Sequence, residues 1–430
     1  MKEAHHNSNL PQLQNVSNVV HARLKESVNS ASIIPTTNLL DLVPNRSIAD
    51  PLVHLYFDTI EMTYRVLHRT TFWSEYESFW QSPGEGSPGF LPILLLVMAI
   101  IRCMSPIESS SSMPEGSSLR TEAVQWIRAC DFWLTKQSSK HRYIAMYQVM
   151  CLRLLAASAN SVKTKEAYFS AESLLNYFRA AGMHRDPRLL DDRCSPFESE
   201  MRRRLWATAM ELELQASVDR GMSSSLGTIS ADCPPPHNIN DDEFTESSSY
   251  LPSSRHSEDY TETSFQDTSS RSLPLRLSLC TLVNDPGSSI PYDEVLKYEQ
   301  QITEALDSIP KWERFETTQA STLLDLQLRQ YFLLIHTPYA RKSSSSHSRY
   351  SRMICFETAK HMLDQYRRLI SSNNFTISLL RDDVYRAALS ICHNIFLCSL
   401  KPSLSALITI SLSMMLMTIS QMICFSKASS

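Results

Sequence analysis

Apolar residues recur at three- and four-residue intervals along most of this 430-residue chain, which is the period of an amphipathic helix. One such face consists of Ala167, Ala171, Leu174, Leu175, Phe178 and Ala181. After an apolar stripe that begins at Pro51, the same pattern predicts helices over about 71–80, 91–104, 119–136, 141–159, 165–182, 292–308, 318–335, 350–371 and 382–399. No convincing set of alternating strand patterns occurs, so we expect an all-α protein built as a single large helical domain.

The helix predicted over 195–221 has the clearest ends. Ser195 is a preferred N-cap residue, Pro196 takes the first helical position, and Glu198 completes a capping-box pattern. Gly221 follows the last periodic residue, where a left-handed C-cap favours glycine. We therefore expect a helix of about 25 residues, roughly 37 Å long at 1.5 Å per residue.

Two polar stretches flank or interrupt the helical pattern. Residues 1–47 are rich in Asn, Ser, Gln and His without sustained periodicity, so we expect a disordered N-terminal arm. Residues 223–290 hold three consecutive prolines, an acidic run and many Ser and Thr, which favours an irregular segment wrapped over the surface. The helical domain then covers 48–403, and this irregular segment is an insertion within it.

The C-terminal stretch, residues 404–430, is an apolar tail of uncertain status. Leu404–Phe425 is 22 residues without charge, bounded by Lys401 and Lys427, and this length would span a bilayer. Six Ser or Thr residues and one Gln dilute its apolar character, which weighs against membrane insertion. A buried terminal helix, or sequence translated past a missed exon boundary, is the favoured interpretation.

The amino-acid composition limits the fold classes and the binding partners that are compatible with this sequence. Only 8 of the 430 residues are glycine, whereas doubly wound and barrel folds use glycine at tight turns and phosphate contacts. The formal net charge is −4, whereas a free-standing nucleic-acid binder relies on a basic surplus. Low glycine content favours helices joined by polar loops, and the acidic balance argues against direct DNA binding.

The cysteines and histidines show no metal-binding pattern. No C-x-x-C occurs among the ten cysteines, and the nearest pair, Cys392 and Cys398, is six residues apart. Several cysteines lie in apolar helical runs, which suits reduced thiols in an intracellular protein, and the N-terminus lacks the apolar core of a signal peptide. His68, His184 and His336 each lie beside an apolar run, so we expect them to hydrogen-bond to neighbouring groups rather than bind metal. We expect no metal and no cofactor in this chain, and no secretion.

No catalytic motif stands out, but an enzyme is the alternative hypothesis. The chain has no G-x-S-x-G, H-E-x-x-H or glycine-rich phosphate loop. Helical prenyl-diphosphate enzymes hold magnesium with Asp-rich motifs, and two acidic clusters, Asp191-Asp192 and Asn240–Glu243, invite that comparison. Asp191-Asp192 lies before a capping Ser and lacks a later carboxylate on the same helix face. Asn240–Glu243 follows three prolines, so we expect it in a loop where ligand geometry is loose. For each cluster, solvated turn charges are the favoured interpretation.

A basic run, Arg202 to Arg204, lies inside the 195–221 helix. It resembles a DNA-contact or nuclear-import patch, but Glu198 and Glu200 precede it at pairing distance. We therefore predict that these arginines form internal salt bridges.

Five segments, in order, resemble the fungal-specific transcription factor domain, the middle homology region of fungal zinc-cluster regulators. They are Tyr56–Phe72 with its Leu-His-Arg, Gly182-Met-His-Arg-Asp-Pro187, Glu200-Met-Arg-Arg-Arg-Leu-Trp206 with the Asp219-Arg-Gly that follows it, Pro236-His-Asn-Ile-Asn-Asp-Asp242, and Leu334-Ile-His-Thr-Pro-Tyr339. The signature positions are His68, Phe72, His184, Arg185, Asp186, Arg202, Arg203, Arg204, Trp206, Asp219, Gly221, Asn238, Asp241, His336 and Pro338. The matches extend over roughly residues 50 to 400.

This resemblance implies a non-enzymatic regulatory region in the nucleus that controls a separate DNA-binding module. Family members carry a six-cysteine cluster that binds two zinc ions, and this cluster is absent from the sequence. Zinc and DNA are therefore expected only through a missing module or a partner protein. The expected partners are transcription-machinery proteins or a small-molecule effector, and a homodimer is compatible with the family.

The resemblance also suggests a structural role for part of the third segment. The forked side chains of Arg202 and Arg203 can clamp carboxylates or helix-end carbonyls, while the indole of Trp206 fills the groove between helices. No catalytic, metal-binding or DNA-binding residue is assigned.

Overall fold

The computed structural model describes residues 38–102, 116–138, 143–162, 167–285, 287, 290–312, 318–342, 345–371 and 380–399. Within these ranges the chain forms 13 α-helices and no strand, which confirms the all-α prediction. The helices are α1 Arg46–Thr59, α2 Glu61–Tyr64, α3 Arg69–Gln81, α4 Phe90–Ile101, α5 Gly116–Thr135, α6 Ile144–Ala159, α7 Ala167–Ala180, α8 Pro196–Arg220, α9 Ser264–Asn284, α10 Tyr292–Asp307, α11 Thr318–Ala340, α12 Ser346–Ser371 and α13 Asp383–Ser399.

Helix α4 lies at the centre of the N-terminal half. Eleven of its twelve residues are buried, because α1, α5 and α6 pack around it. A helix that is apolar on all sides requires such an enclosure to keep its side chains from water. The run of apolar residues from Leu91 therefore marks a core helix, as its length predicted.

Helix α11 connects two hydrophobic cores. Leu323, Leu324 and Leu328 face the larger core, which is formed mainly by helices α1 to α11 and includes Ile370 of α12. Leu326 and Leu333 face a smaller core formed with α12 and α13. The C-terminal helices are thereby packed onto the rest of the described scaffold mainly through α11.

Helix α8 has the ends that the sequence predicted. The Ser195 hydroxyl accepts a hydrogen bond from the Glu198 backbone N–H at 3.1 Å, and Pro196 starts the helix. Gly221 ends it in the left-handed region with a φ of 66°. These local contacts fix both ends of a helix of 25 residues.

The predicted N-terminal arm is too long at its C-terminal end. Residues Leu39–Leu42 form a short 3-10 helix that packs against α4, and α1 already begins at Arg46. The Trp126 indole donates a hydrogen bond of 3.0 Å to the Leu42 carbonyl, which ties this segment to α5. The arm predicted over residues 1–37 lies outside the described residues.

The prediction of an irregular segment over 223–290 is wrong for its last third, where the 21-residue helix α9 forms. Its sequence is rich in serine and contains Pro274, yet Gln266, Ser269 and Arg276 are buried against α8. Because hydrogen bonds to a neighbouring helix satisfy these polar groups, α9 needs no continuous apolar face of its own. Before α9 the segment is mostly irregular, with two short 3-10 turns.

Helix α11 continues to Ala340, five residues beyond its predicted end, although Pro338 lies in its last turn. The Thr337 hydroxyl donates to the Leu333 carbonyl there. No helix among the described residues is long and apolar enough to cross a membrane. The tail Leu404–Phe425 lies outside these residues.

Candidate functional site

Asp241 is the centre of a buried ion cluster. Its carboxylate oxygen Oδ1 accepts a hydrogen bond of 2.6 Å from Nη1 of Arg204 and another from Nη2 of Arg65. Its second oxygen accepts from the Arg69 backbone N–H at 2.7 Å. Asp241 is 1% exposed, and Arg65 and Arg204 are fully buried. One carboxylate therefore joins helix α8 to the segment between α2 and α3.

The charges in this cluster stabilise one another. Burial alone would raise the pKa of Asp241, but the guanidinium groups of Arg65 and Arg204 outweigh burial and hold that pKa well below its usual range. Glu262 balances a further cation, because its carboxylate lies 3.0 Å from Nε of Arg69. Asp241 is a permanent anion whose lone pairs are taken up by arginine and backbone donors.

Glu200 extends the cluster along α8. It lies 3.2 Å from both Arg203 and Arg204, and its Oε1 accepts a hydrogen bond of 3.1 Å from the backbone N–H of His237. The third arginine, Arg202, donates to the carbonyl of Ala181 at the end of α7 at 2.8 Å. The predicted internal pairing of the basic run is confirmed.

Asn238 organises the loop that carries Asp241. This fully buried amide donates to the carbonyls of His256 and Asp259 at 3.0 and 2.9 Å. Its oxygen accepts from the hydroxyls of Thr261 and Ser264 at 2.6 and 2.9 Å. The start of α9 is thereby fixed relative to Asp241.

His68 and Phe72 position the other side of the cluster. His68 caps α3, since its Nδ1 accepts from the backbone N–H of Thr71 at 3.3 Å, and burial lowers its pKa. Its ring contacts Phe197 and Phe244 edge-on, with centroids 5.0 and 4.7 Å away. Phe72 is buried in an aromatic group beneath α4. Both residues are part of the scaffold, as was expected for His68.

His184, Arg185 and Asp186 form a turn that binds an extended segment. The His184 carbonyl accepts from the backbone N–H groups of Asp232 and Cys233 at 3.0 and 3.1 Å. Asp232 in turn accepts from the Asp186 backbone and lies 3.0 Å from Arg185. This turn packs beside Trp206, which is 1% exposed.

The remaining signature residues lie elsewhere in the fold. Asp219 accepts a hydrogen bond from Gln215 and lies 3.5 Å from Arg386, and burial raises its pKa to about 6. His336, on α11 two residues before Pro338, contacts the Ser351 hydroxyl at 3.1 Å, and burial lowers its pKa to about 4. The structure therefore gathers most of the first, third and fourth segments around Asp241, and leaves the fifth apart.

The fungal specific transcription factor domain model matches residues 53–349, which is more than half of the chain and includes all five segments. This chain belongs to the fungal specific transcription factor domain family.

The relatives that this chain matches are longer than the chain. Transcription factor opdR of Penicillium oxalicum is 31% identical over 75% of this chain and 42% of its own length. Transcription factor lepE of Aspergillus flavus is 30% identical over 82% of this chain and 44% of its own length. The Aspyridones cluster regulator apdR of Emericella nidulans is 29% identical over 63% of this chain and 38% of its own length. The matched region thus spans less than half of these relatives, and no solved structure matches significantly.

In this fungal specific transcription factor domain, Asp241 is buried and ion-paired, and is not the solvated turn charge that its sequence context favoured. Its carboxylate is saturated by two arginines, so the magnesium-binding role of the enzyme hypothesis is not supported. Asp242 beside it is exposed. The side chains of Asp191 and Asp192 lie outside the described residues. Within the described part, no three acidic, His or Cys side chains are grouped to hold a metal ion.

Several buried charged residues were not predicted from the sequence. Arg65 lies inside the first signature segment but was not singled out, because its partner Asp241 is 176 positions away. Glu61 accepts from the Tyr56 hydroxyl and from the Leu67 backbone, and burial raises its pKa to about 7. Arg276 of α9 pairs with Glu211 of α8 at 2.6 Å. These pairs follow from the fold, which brings together residues that are far apart in the sequence.

A shallow groove of about 410 Å³ lies on the opposite side of α7, between α5 and α6. Met150, Leu154 and Leu174 contribute apolar lining, and the charge of Arg153 is paired with Asp131 at 2.7 Å. The groove is within the volume range of small-molecule sites.

Proposed function

We propose that this chain is the regulatory region of a fungal transcription factor that controls DNA-templated transcription without catalysing a reaction. The observation that carries this proposal is the burial of the signature residues in one helical scaffold around Asp241, within a chain whose family is that of transcription factor domains. Arginine guanidinium groups stay protonated and cannot act as bases, so the cluster serves to hold helices rather than to perform chemistry.

The proposal places contact with DNA in a zinc-cluster module outside these 430 residues, and assigns the protein to the nucleus. A relative is named as a Zn(2)-C6 fungal-type transcription factor, mpsB of Macrophomina phaseolina, which supports such a module. The acidic net charge of this chain agrees with a role that leaves phosphate binding to another segment. Partners would be proteins of the transcription machinery, or a small apolar effector bound in the groove between α5, α6 and α7.

The test is to join the whole chain to an unrelated DNA-binding domain in a fungal reporter strain. We expect reporter transcription to change at least fivefold relative to that DNA-binding domain alone. The variant Arg204→Met, which removes one partner of Asp241, should abolish the change. The matched variant Arg271→Met alters an arginine that is 57% exposed and should preserve it. If reporter transcription does not change when the wild-type chain is fused to the DNA-binding domain, the proposal is refuted.

The target genes are a second element of the proposal. Three relatives are named as factors or regulators of the equisetin, fusarisetin A and aspyridones clusters. We infer that this chain likewise regulates one group of neighbouring genes. Transcript profiling after deletion of the gene should show reduced or increased expression of adjacent genes, whereas changes scattered across the genome would contradict this inference.

A further inference from the structure

The arginines around the start of α12 differ in their partners from those in the rest of the domain. Most arginines of the described residues form an ion pair with a carboxylate, as Arg276 does with Glu211. Arg341, Arg349 and Arg352 form no such pair within the part of the chain that the structure describes. Their positive charges are therefore not neutralised by a described carboxylate.

The fold brings these arginines to one surface, although they belong to different elements. The hydroxyl of Ser348, in the first turn of α12, donates a hydrogen bond of 3.0 Å to the carbonyl of Lys342, just beyond the end of α11. Arg341 and Lys342 therefore lie beside the turns of α12 that carry Arg349 and Arg352. All of these cations are exposed except Arg352, which is half-buried.

A histidine of α13 shows how close two of the cations are. Burial lowers the pKa of His393, and the charges of Arg341 and Arg352 lower it further. Because the interaction between charges weakens with distance, both guanidinium groups lie near this ring. The lowered pKa keeps the imidazole neutral at pH 7, so the positive charge of this surface belongs to the arginines and Lys342.

Two large side chains lie among these cations on the outer side of α12. Met353 is 53% exposed and Tyr350 is 37% exposed. Residues three and four positions apart are neighbours on a helix, so Met353 adjoins both Tyr350 and Arg349. The Tyr350 hydroxyl donates a hydrogen bond of 2.5 Å to Glu299 of α10, which engages that carboxylate. We call the following six residues the basic surface: Arg341, Lys342, Arg349, Tyr350, Arg352 and Met353.

The chemistry of the basic surface fits a short acidic segment that also carries apolar side chains. Arginine binds carboxylates through two parallel hydrogen bonds, and the flexible thioether of Met353 adapts to apolar groups of different shapes. Alternating acidic and apolar residues are typical of disordered activation segments. Duplex DNA is a poorer fit, because the chain has a net charge of −4 and a long polyanion would extend beyond the basic surface onto its acidic remainder.

We propose that the basic surface docks an acidic segment of a protein partner, with carboxylates on its arginines and an apolar side chain on Met353. This inference rests on the proposed function in one respect, because a chain that acts through protein partners needs a surface for them. It adds the place of contact and the charge of the partner. The bound segment is short, since charges that lie more than about 8 Å apart in solvent are largely screened at physiological salt.

Fluorescence anisotropy with the full chain tests this docking. The probe is a labelled peptide that repeats Asp-Asp-Leu-Asp-Asp-Phe. Arg349→Glu combined with Arg352→Glu should weaken binding at least tenfold. The matched variant, Arg271→Glu combined with Lys360→Glu, changes the net charge equally at two exposed residues outside the basic surface and should weaken binding less than twofold. Equal affinities of the two variants, or tighter binding of a duplex DNA than of the peptide, would overturn the proposal.

Amide hydrogen exchange locates the contact independently. With saturating peptide, exchange in residues 345–357 should slow at least threefold, and exchange in α6 should stay unchanged. Slower exchange in α6 and α7 alone would place the peptide in the groove between α5, α6 and α7, and would contradict docking on the basic surface. Because both measurements use direct binding, a chain that binds the peptide but leaves the reporter unchanged would refute only the proposed function.

Discussion

At the residue scale, the domain depends on polar groups that are buried in pairs. Asp241 accepts from Arg65 and Arg204 on one oxygen, and neither arginine reaches solvent. A buried ion pair adds little to net stability against an apolar pair of equal shape, but removal of one member leaves an uncompensated charge, which costs about 3–5 kcal/mol. The cluster therefore determines which three segments pack together. It contributes less to the net free energy of folding.

Trp206 provides the apolar counterpart on the same helix. It is 1% exposed and packs beside the turn at His184. Trp206→Ala should lower the free energy of unfolding by roughly 3–5 kcal/mol, because the emptied site becomes a cavity. Chemical denaturation measures this loss. Tyr250→Ala, at a residue that is 76% exposed, should change stability by less than about 0.5 kcal/mol. A Trp206 variant as stable as the Tyr250 variant would contradict the structural role.

Glu61 should make stability depend on pH. Burial raises the pKa of Glu61 to about 7 from 4.5, so the folded state holds this proton more tightly than the unfolded state. Its contribution is complete below pH 4.5 and is lost as pH rises through 7. Between pH 5.5 and 8 the wild type should lose about 2 kcal/mol relative to Glu61→Gln, at 1.36 kcal/mol per pH unit. Unfolding curves at both pH values check this, and a constant difference between the two proteins would exclude it.

At the scale of helices, the sequence best predicts the features that depend on residues close to one another in the chain. Ser195, Pro196 and Gly221 each act within one helical turn, so both ends of α8 follow from the sequence alone. Helix α9 does not, because Gln266 and Arg276 are satisfied by α8, some 60 positions away. The ion cluster could not be predicted from the sequence for the same reason, because Arg65 and Asp241 are far apart in the chain and only the fold brings them together.

The loop before α9 should be the first site of limited proteolysis. Residues Thr245–His256 include many exposed positions and form no helix, whereas α9 is packed on α8. Because proteases cut exposed irregular backbone, we expect the first cleavage within this loop. Mass spectrometry of the earliest fragments identifies the sites. Early cuts within α7, α8 or α9 would show that the helical scaffold is less continuous than described.

At the scale of the whole molecule, the polar clusters and the two cores lie along the same helices. Helix α8 carries Glu200 and Arg204 near one end and Asp219 near the other, and α11 joins both cores. The Asp241 cluster is therefore connected to the C-terminal helices through packed elements. Such a scaffold suits regulation, where a partner or effector at one place alters a surface at another.

The last prediction concerns metal and DNA. The 430-residue chain should contain no stoichiometric zinc and show no sequence-specific DNA binding. Zinc binds thiolates, yet burial raises the pKa of the thiols of Cys130 and Cys151 well above its usual range, which keeps them protonated. The net charge of −4 likewise opposes the counterion release that supports even non-specific DNA affinity.

Metal analysis of the purified chain and gel-shift titration over promoter fragments test the two halves separately. The matched control is the same chain fused to a six-cysteine zinc-cluster module, which should carry two zinc ions and shift DNA. Because that module supplies closely spaced thiolates and basic residues, the difference between the two proteins isolates where recognition resides. Two zinc ions in the unfused chain, or nanomolar DNA binding that survives physiological salt, would place the recognition function inside these 430 residues.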